Sequence, residues 1–141
     1  MVDPRELRIG NYIYNLSSGS SEFAQVIGID VEGYLMLQNK EDEYNSFCDE
    51  DIHPIPLTED ILMKCGFKRK ENFCNRDHFC LYYNHFYIDV FHVNHTIQKY
   101  IWNIHIDDES FMNVGYGHFD YVHELQNLFY DLCKTPLDIK L

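Results

Sequence analysis

Positive charge is the scarcest property of this sequence. Eleven Lys and Arg stand against 23 Asp and Glu in 141 residues, a formal net charge of −12. A chain that neutralised a phosphate backbone would need clustered cations, so nucleic acid is not an expected partner. No apolar run reaches the roughly 18 residues that a membrane-spanning helix requires, and no membrane partner is expected. The opening residues, MVDPRELRIG, lack the apolar centre of a secretory signal. The five cysteines (positions 48, 65, 74, 80 and 133) are odd in number and lack disulfide-framework spacing. A reduced, cytoplasmic-type compartment is the expectation. Walker loops, dinucleotide fingerprints, nucleophile elbows and H-E-x-x-H motifs are all missing, so no cofactor is expected and no enzyme class is specified. No internal repeat interrupts the chain.

What the sequence does have is apolar and aromatic substance: 45% hydrophobic and 16% aromatic residues, enough for a real core in one domain or two very small ones. Its charge is unevenly placed. Residues 22–63 hold eleven acids against Lys40 alone, a window of −10, whereas Lys64, Lys68, Arg69, Lys70 and Arg76 follow with only Glu71 opposing them. That basic stretch reads as a solvated hairpin, with contact to an anion as the alternative.

Between those windows lies DIHPIPLTEDILMKCGF, residues 51–67. Pro54 and Pro56 fix φ and remove two backbone donors, so the chain must leave any ladder there. Thr58 is a good helix N-cap, Glu59 and Asp60 suit the first turn, Leu57 can staple to Leu62, and Gly66 fits the position just past the helix end. Ahead of this corner, segments 7–15, 23–30, 34–38, 44–48 and 52–55 read as five short strands separated by turns. That spacing suggests a small, strongly bent barrel. Beyond it, 67–73, 79–84, 85–93 and 98–106 read as further strands. Asp89 lies in one that is apolar on both faces, which should therefore be central. In 98–106, Tyr100, Trp102, Ile104 and Ile106 alternate with Ile101, Asn103 and His105, and the Trp face should point inward.

Residues 111–119 (FMNVGYGHF) read as an aromatic loop with two glycines, Asp120 as a cap, 121–134 as an amphipathic helix and 137–141 as a short edge strand that could pair two copies. The expected fold is α+β: a barrel-like unit over 1–57, a linker helix, then an antiparallel sheet packed by the C-terminal helix over 58–141.

Few residues suggest chemistry. Cys74, His78 and Cys80 mix zinc-type ligands in seven positions, with His92 or His95 as a fourth, but without the tight pairing of structural zinc sites. The alternative is a small buried thiol among histidines lining aromatic surface. Asp89 and His105 could meet across two strands, as an acid–imidazole pair or as a buried structural hydrogen bond. Cys65 stands at a helix C-terminus, where the dipole disfavours a thiolate. Tyr116 and His118 are the best candidates for aromatic recognition. Glu41, Asp42, Glu43, Asp49, Glu50 and Asp51 are the candidates for electrostatic recognition.

Three islands, LRIGNYI at 7–13, PIPLTEDILMKCGF at 54–67 and YVHELQNLFYDL at 121–132 followed by LDIKL, resemble small proteins of Bacteroidetes bacteria and of their phages and prophages. The resemblance implies a cytoplasmic phage or mobile-element protein, in the host cytoplasm if phage-encoded. It brings no activity and no site residues. Two functions are expected: an acidic interaction protein binding a host or viral protein, or a binder of small molecules such as nucleotide derivatives through the aromatic C-terminal half.

Overall fold

A computed structural model describes residues 2–15, 22–32, 34–39, 44–47, 52–70, 78–94, 97–106 and 113–141. The fold is α+β, with two five-stranded antiparallel sheets and two α-helices. The chain divides into two units: residues 1–56 with 121–137, and residues 57–120 with 138–141.

The first unit contains β1 (Tyr12–Asn15), β2 (Glu22–Ile29), β3 (Leu35–Gln38), β4 (Tyr44–Phe47), β5 (Ile52–His53) and helix α2 (Val122–Cys133). Strand order is β4-β3-β2-β1-β5, an open sheet with β4 and β5 at its edges. The closed barrel suggested by strand spacing is therefore not formed among the described residues. Five strands of four, eight, four, four and two residues pair only with sequence neighbours, except for β5 on β1. Alternation fills the inner face: Ile13, Ala24, Val26, Leu35, Leu37 and Ile52 are all buried. The register slips between Val26 and Gly28, the bulge that Gly28 suggested.

Helix α2 belongs to this unit, which corrects the expectation that it packs the second sheet. Its contacts explain why. Gln126 Oε1 accepts from Tyr12 N–H at 2.9 Å, Gln126 Nε2 donates to the Gly10 carbonyl at 3.0 Å, and Asn11 Nδ2 donates to Asn127 Oδ1 at 3.0 Å. Buried amides thus tie the turn before β1, where Gly10 takes φ +99°, to the helix. The helix begins one residue later than Asp120 would cap it: Tyr121 is the N-cap, and the Glu124 carboxylate reaches back to accept its N–H at 3.0 Å.

The second unit contains α1 (Glu59–Lys64), β6 (Lys68–Lys70), β7 (His78–Tyr83), β8 (Phe86–Asn94), β9 (Ile97–Ile106) and β10 (Asn113–Phe119). Helix α1 follows its sequence signals. Thr58 Oγ1 accepts from Ile61 N–H at 3.3 Å, and Gly66, at φ +91°, closes the end with Gly66 N–H donating to the Met63 carbonyl and Phe67 N–H to the Leu62 carbonyl. Sheet order is β10-β9-β8-β7-β6, so β8 is central, as its two apolar faces require.

Residues 113–119 are a strand, not the loop that two glycines suggested. Gly115 and Gly117 lie under Trp102, and a Cβ at Gly117 would come within 2.6 Å of Trp102 Cζ2. The indole, rather than a hinge, accounts for these glycines. Residues 137–141 form no strand, in contrast to the edge strand expected there, although Leu137 and Ile139 are buried.

Candidate functional site

The two faces of the second sheet differ in chemistry. Phe79, Ile88, Val90, Tyr100, Ile104 and Phe119 fall on one face and are buried. On the other, the register lines up Lys68, Cys80, Asp89, Asn103 and Tyr116 directly across all five strands. Asp89 therefore sits in the middle strand of a polar face.

Asp89 is only 7% exposed, and an ionised carboxylate cannot stay so buried without donors. Two imidazoles supply them. His78 Nε2 lies 2.7 Å from Asp89 Oδ1, and His105 Nε2 lies 3.2 Å from Oδ2. A carboxylate oxygen accepts, so the Nε2 atom facing each oxygen is placed to donate to it. His105 Nδ1 is buried and has no hydrogen-bond partner.

The arrangement is nearly symmetric about Asp89. His78 is paired across the ladder with Phe91 and stacks on it at 4.4 Å and 14°; His105 is paired with Tyr87 and stacks on it at 4.7 Å and 14°. The Tyr87-x-Asp89-x-Phe91 alternation of β8 thus provides a carboxylate flanked by two ring platforms. Each platform fixes the plane of an imidazole, and the carboxylate anchors its Nε2 edge.

Lys70 and Tyr82 extend the site. Lys70 Nζ donates to Tyr82 Oη at 2.7 Å and lies 5.0 Å from the Tyr82 ring centroid and 5.7 Å from that of Tyr87. This hydrogen bond is the main reason the ammonium pKa is raised, so the charge is firmly held. Burial, then the neighbouring Asp89 charge, pushes the Tyr87 hydroxyl up from its ordinary value. Tyr82 is 56% exposed and offers its ring to solvent.

These side chains can transfer or hold a proton, stack a ring and neutralise an anion. Thiolate chemistry is not among their capacities. Cys80 faces Asp89 across the ladder, and burial, reinforced by that carboxylate, pushes its pKa up to about 12. Burial does the same to Cys65, also to about 12. The zinc reading fares differently at each ligand. Cys74 and His95 lie outside the described residues; His78 is committed to Asp89; His92 pairs with Tyr100 on the opposite face and cannot join His78 and Cys80. Among the described residues no three His, Cys, Asp or Glu side chains are placed to hold a metal ion.

Tyr116 and His118 do share the polar face, through register with Asn103 and Ile101, and both are exposed. Asp89 and His105 meet as strand alternation suggested. The sequence reading missed that His78 joins them and that Lys70 caps two tyrosines. Glu41, Asp42, Glu43, Asp49, Glu50 and Asp51 lie outside the described residues. No helix among the described residues is long and apolar enough to cross a membrane. No family model, curated protein or solved structure matches the chain.

Proposed function

We propose that this chain is a binding protein whose second unit takes up a small anionic ring compound, of the nucleotide-derivative class, on the polar face of its sheet. The observation that carries this reading is Lys70, held by Tyr82 over two tyrosine rings beside the carboxylate-anchored imidazoles. The exposed Tyr82 ring supplies a stacking surface and Lys70 a counter-charge.

Thermal unfolding across a panel of nucleotides, matched nucleosides and inorganic phosphates tests it. A bound nucleotide at about 100 times its Kd should add about 2.7 kcal/mol, which is several degrees in Tm. Lys70→Ala and Tyr82→Ala should each weaken binding roughly tenfold, about 1.4 kcal/mol. A flat response to the whole panel overturns the reading.

A second reading, an acidic phage or mobile-element protein that engages a basic host or viral protein, is favoured by where the charge resides. The first unit has thirteen acids against four basic residues, −9, while the second has ten against seven, −3. Such a field steers a basic partner and repels nucleic acid. Neutralising Glu41, Asp42, Glu43, Asp49, Glu50 and Asp51 should abolish salt-sensitive association with a basic protein; unchanged association removes the electrostatic basis.

A further inference from the structure

The β2–β3 hairpin of the first unit ends in apolar residues that stay exposed. Val31 is fully exposed at 104%, and Ile29, Tyr34 and Met36 are 43%, 42% and 46% exposed. Four apolar side chains within eight positions is an unusual solvent face for the more highly charged unit.

The turn is nonetheless fixed. Asp30 Oδ1 accepts from Glu32 N–H at 2.8 Å and from Tyr34 N–H at 2.9 Å, and Asp30 N–H donates to the Tyr34 carbonyl at 3.0 Å. A turn tied three times by one residue is preorganised, so docking it costs little conformational entropy. Behind it, the bulge at Gly28 brings Met36 over the glycine, with its sulfur 3.1 Å from where a Cβ would stand.

We propose that this tip is a docking element for a protein partner with an apolar pocket rimmed by Lys and Arg. The choice of occupant comes from charge. Asp30 and Glu32 flank Val31 and are exposed, the unit as a whole is at −9, and its two arginines are committed to Asp3 (2.7 Å) and Asp131 (2.6 Å). The same face of a second copy would meet like charge, and so would an anionic membrane; a cationic rim around an apolar pocket matches both features of the tip. The inference rests on the acidic-partner reading and specifies where contact is made.

Three synthetic peptides separate the two: one alternating Lys and Leu, one alternating Lys and Ser, one alternating Glu and Leu. Each is titrated into the full chain with NMR detection of the Met36 and Val31 methyl groups. The expected result is that the Lys/Leu peptide binds about tenfold tighter than either other peptide, shifts those methyls first, and weakens about tenfold for Val31→Ser and Met36→Ser. Equal binding of the Lys/Leu and Lys/Ser peptides, unaffected by the two substitutions, overturns the docking tip while leaving the acidic reading intact. No binding of either cationic peptide overturns both. Concentration-dependent self-association, or uptake onto anionic or zwitterionic vesicles, that Val31→Ser abolishes would assign the tip to a second copy or a lipid surface and overturn the proposed partner.

Discussion

The two units solve polar burial in opposite ways. In the first, the buried polar side chains among the described residues are Asn11, Asn15, Gln126 and His123, and the amides of Asn11 and Gln126 hold backbone groups and the side chain of Asn127. In the second, the buried polar group is the carboxylate of Asp89, placed mid-sheet and held by two side chains that are themselves titratable. An amide is neutral, and its burial is complete once its hydrogen bonds are made. A carboxylate requires a charge-compensating environment, and providing one from two imidazoles creates proton-handling groups as a by-product. Polar burial in the first unit is therefore architectural, and in the second it is where chemistry is available.

The sharpest way to break that contrast is Asp89→Asn. It leaves the shape and removes the charge, so two imidazole N–H donors lose their ionic acceptor. We expect a loss of about 3 kcal/mol in urea unfolding, the low end for breaking a buried pair. Asn11→Ala, which deletes one architectural amide, should cost about 1–2 kcal/mol. Equal losses would mean that the carboxylate is merely another structural group. The triple variant Asp89→Leu, His78→Phe, His105→Phe should recover most of the lost stability, since a buried polar network exchanged for apolar packing is often near neutral. It should not recover ligand-dependent stabilisation.

Glycine separates the units at the next level. Alanine at Gly117 would drive its Cβ to 2.6 and 2.8 Å from Trp102 ring atoms, and an indole cannot swing aside as a thioether does. Overpacking of this kind costs about 2 kcal/mol. Trp102 is the only tryptophan, so its emission reports the displacement directly. The double variant Gly117→Ala, Trp102→Phe should show a favourable coupling, because the smaller ring relieves the clash. A purely additive cycle would mean that the glycine serves some purpose other than accommodating the indole.

How much of this was legible in sequence depends on whether the determinant is local. The capped helix at 59–64 was legible because Thr58, the acids after it and Gly66 act on their own turn. The central place of β8 followed from its two apolar faces. β10 was not legible, because glycine is depleted in strands and only the distant Trp102 makes glycine necessary there. The stripe on α2 says that the helix packs, not on which sheet; Asn11 and Gln126 decide that from opposite ends of the chain. Residues 137–141 have the alternation of a strand, but alternation could not supply a partner strand. At the site, Asp89 and His105 were brought together by alternation alone. His78 was missed because the strand was read as starting at Phe79, one residue after it, and the histidine was set with Cys74 and Cys80 instead. The reversal is Asn84–His85, with Asn84 at φ 50°, which pairs Tyr83 with Phe86 and so sets Cys80 opposite Asp89 and His78 diagonal to it.

Third in expected effect is the pH dependence of the first unit. His123 is 1% exposed, and neither ring nitrogen has a hydrogen-bond partner; the nearest carboxylate, Glu6, is 3.8 Å from Nε2. Burial is the dominant influence and lowers its pKa below the ordinary 6.5, with Glu124 and Glu6 opposing. The unfolded chain therefore binds a proton that the folded chain refuses. The stability contribution is fully present above about pH 6.5 and is lost as pH falls from there towards the folded value. Denaturant unfolding at pH 7.5, 6.5 and 5.5 should show this decline in the wild type and a shallower one in His123→Leu. An identical slope in the variant would assign the acid sensitivity elsewhere.

The smallest effect sharpens the contrast from the other side. Gly28 also approaches a side chain closely, yet its neighbour is the terminal sulfur of Met36, 3.1 Å from a built Cβ, on a residue that is 46% exposed. Three rotatable bonds and open solvent let the thioether move away, and no positive φ forbids alanine at this position. Alanine also reduces the freedom of the unfolded chain, a gain of about 0.4–1 kcal/mol that offsets the displaced contact. Gly28→Ala should therefore change stability by less than about 0.5 kcal/mol, while Gly117→Ala costs several times as much. A large loss at Gly28 would mean that the bulge, and not the Met36 contact, fixes the residue type, because only a backbone that cannot relax would penalise one added methyl group so heavily. It would also make Met36 a rigid part of the hairpin tip rather than a pliable one, and tighten the shape that a docking partner must match.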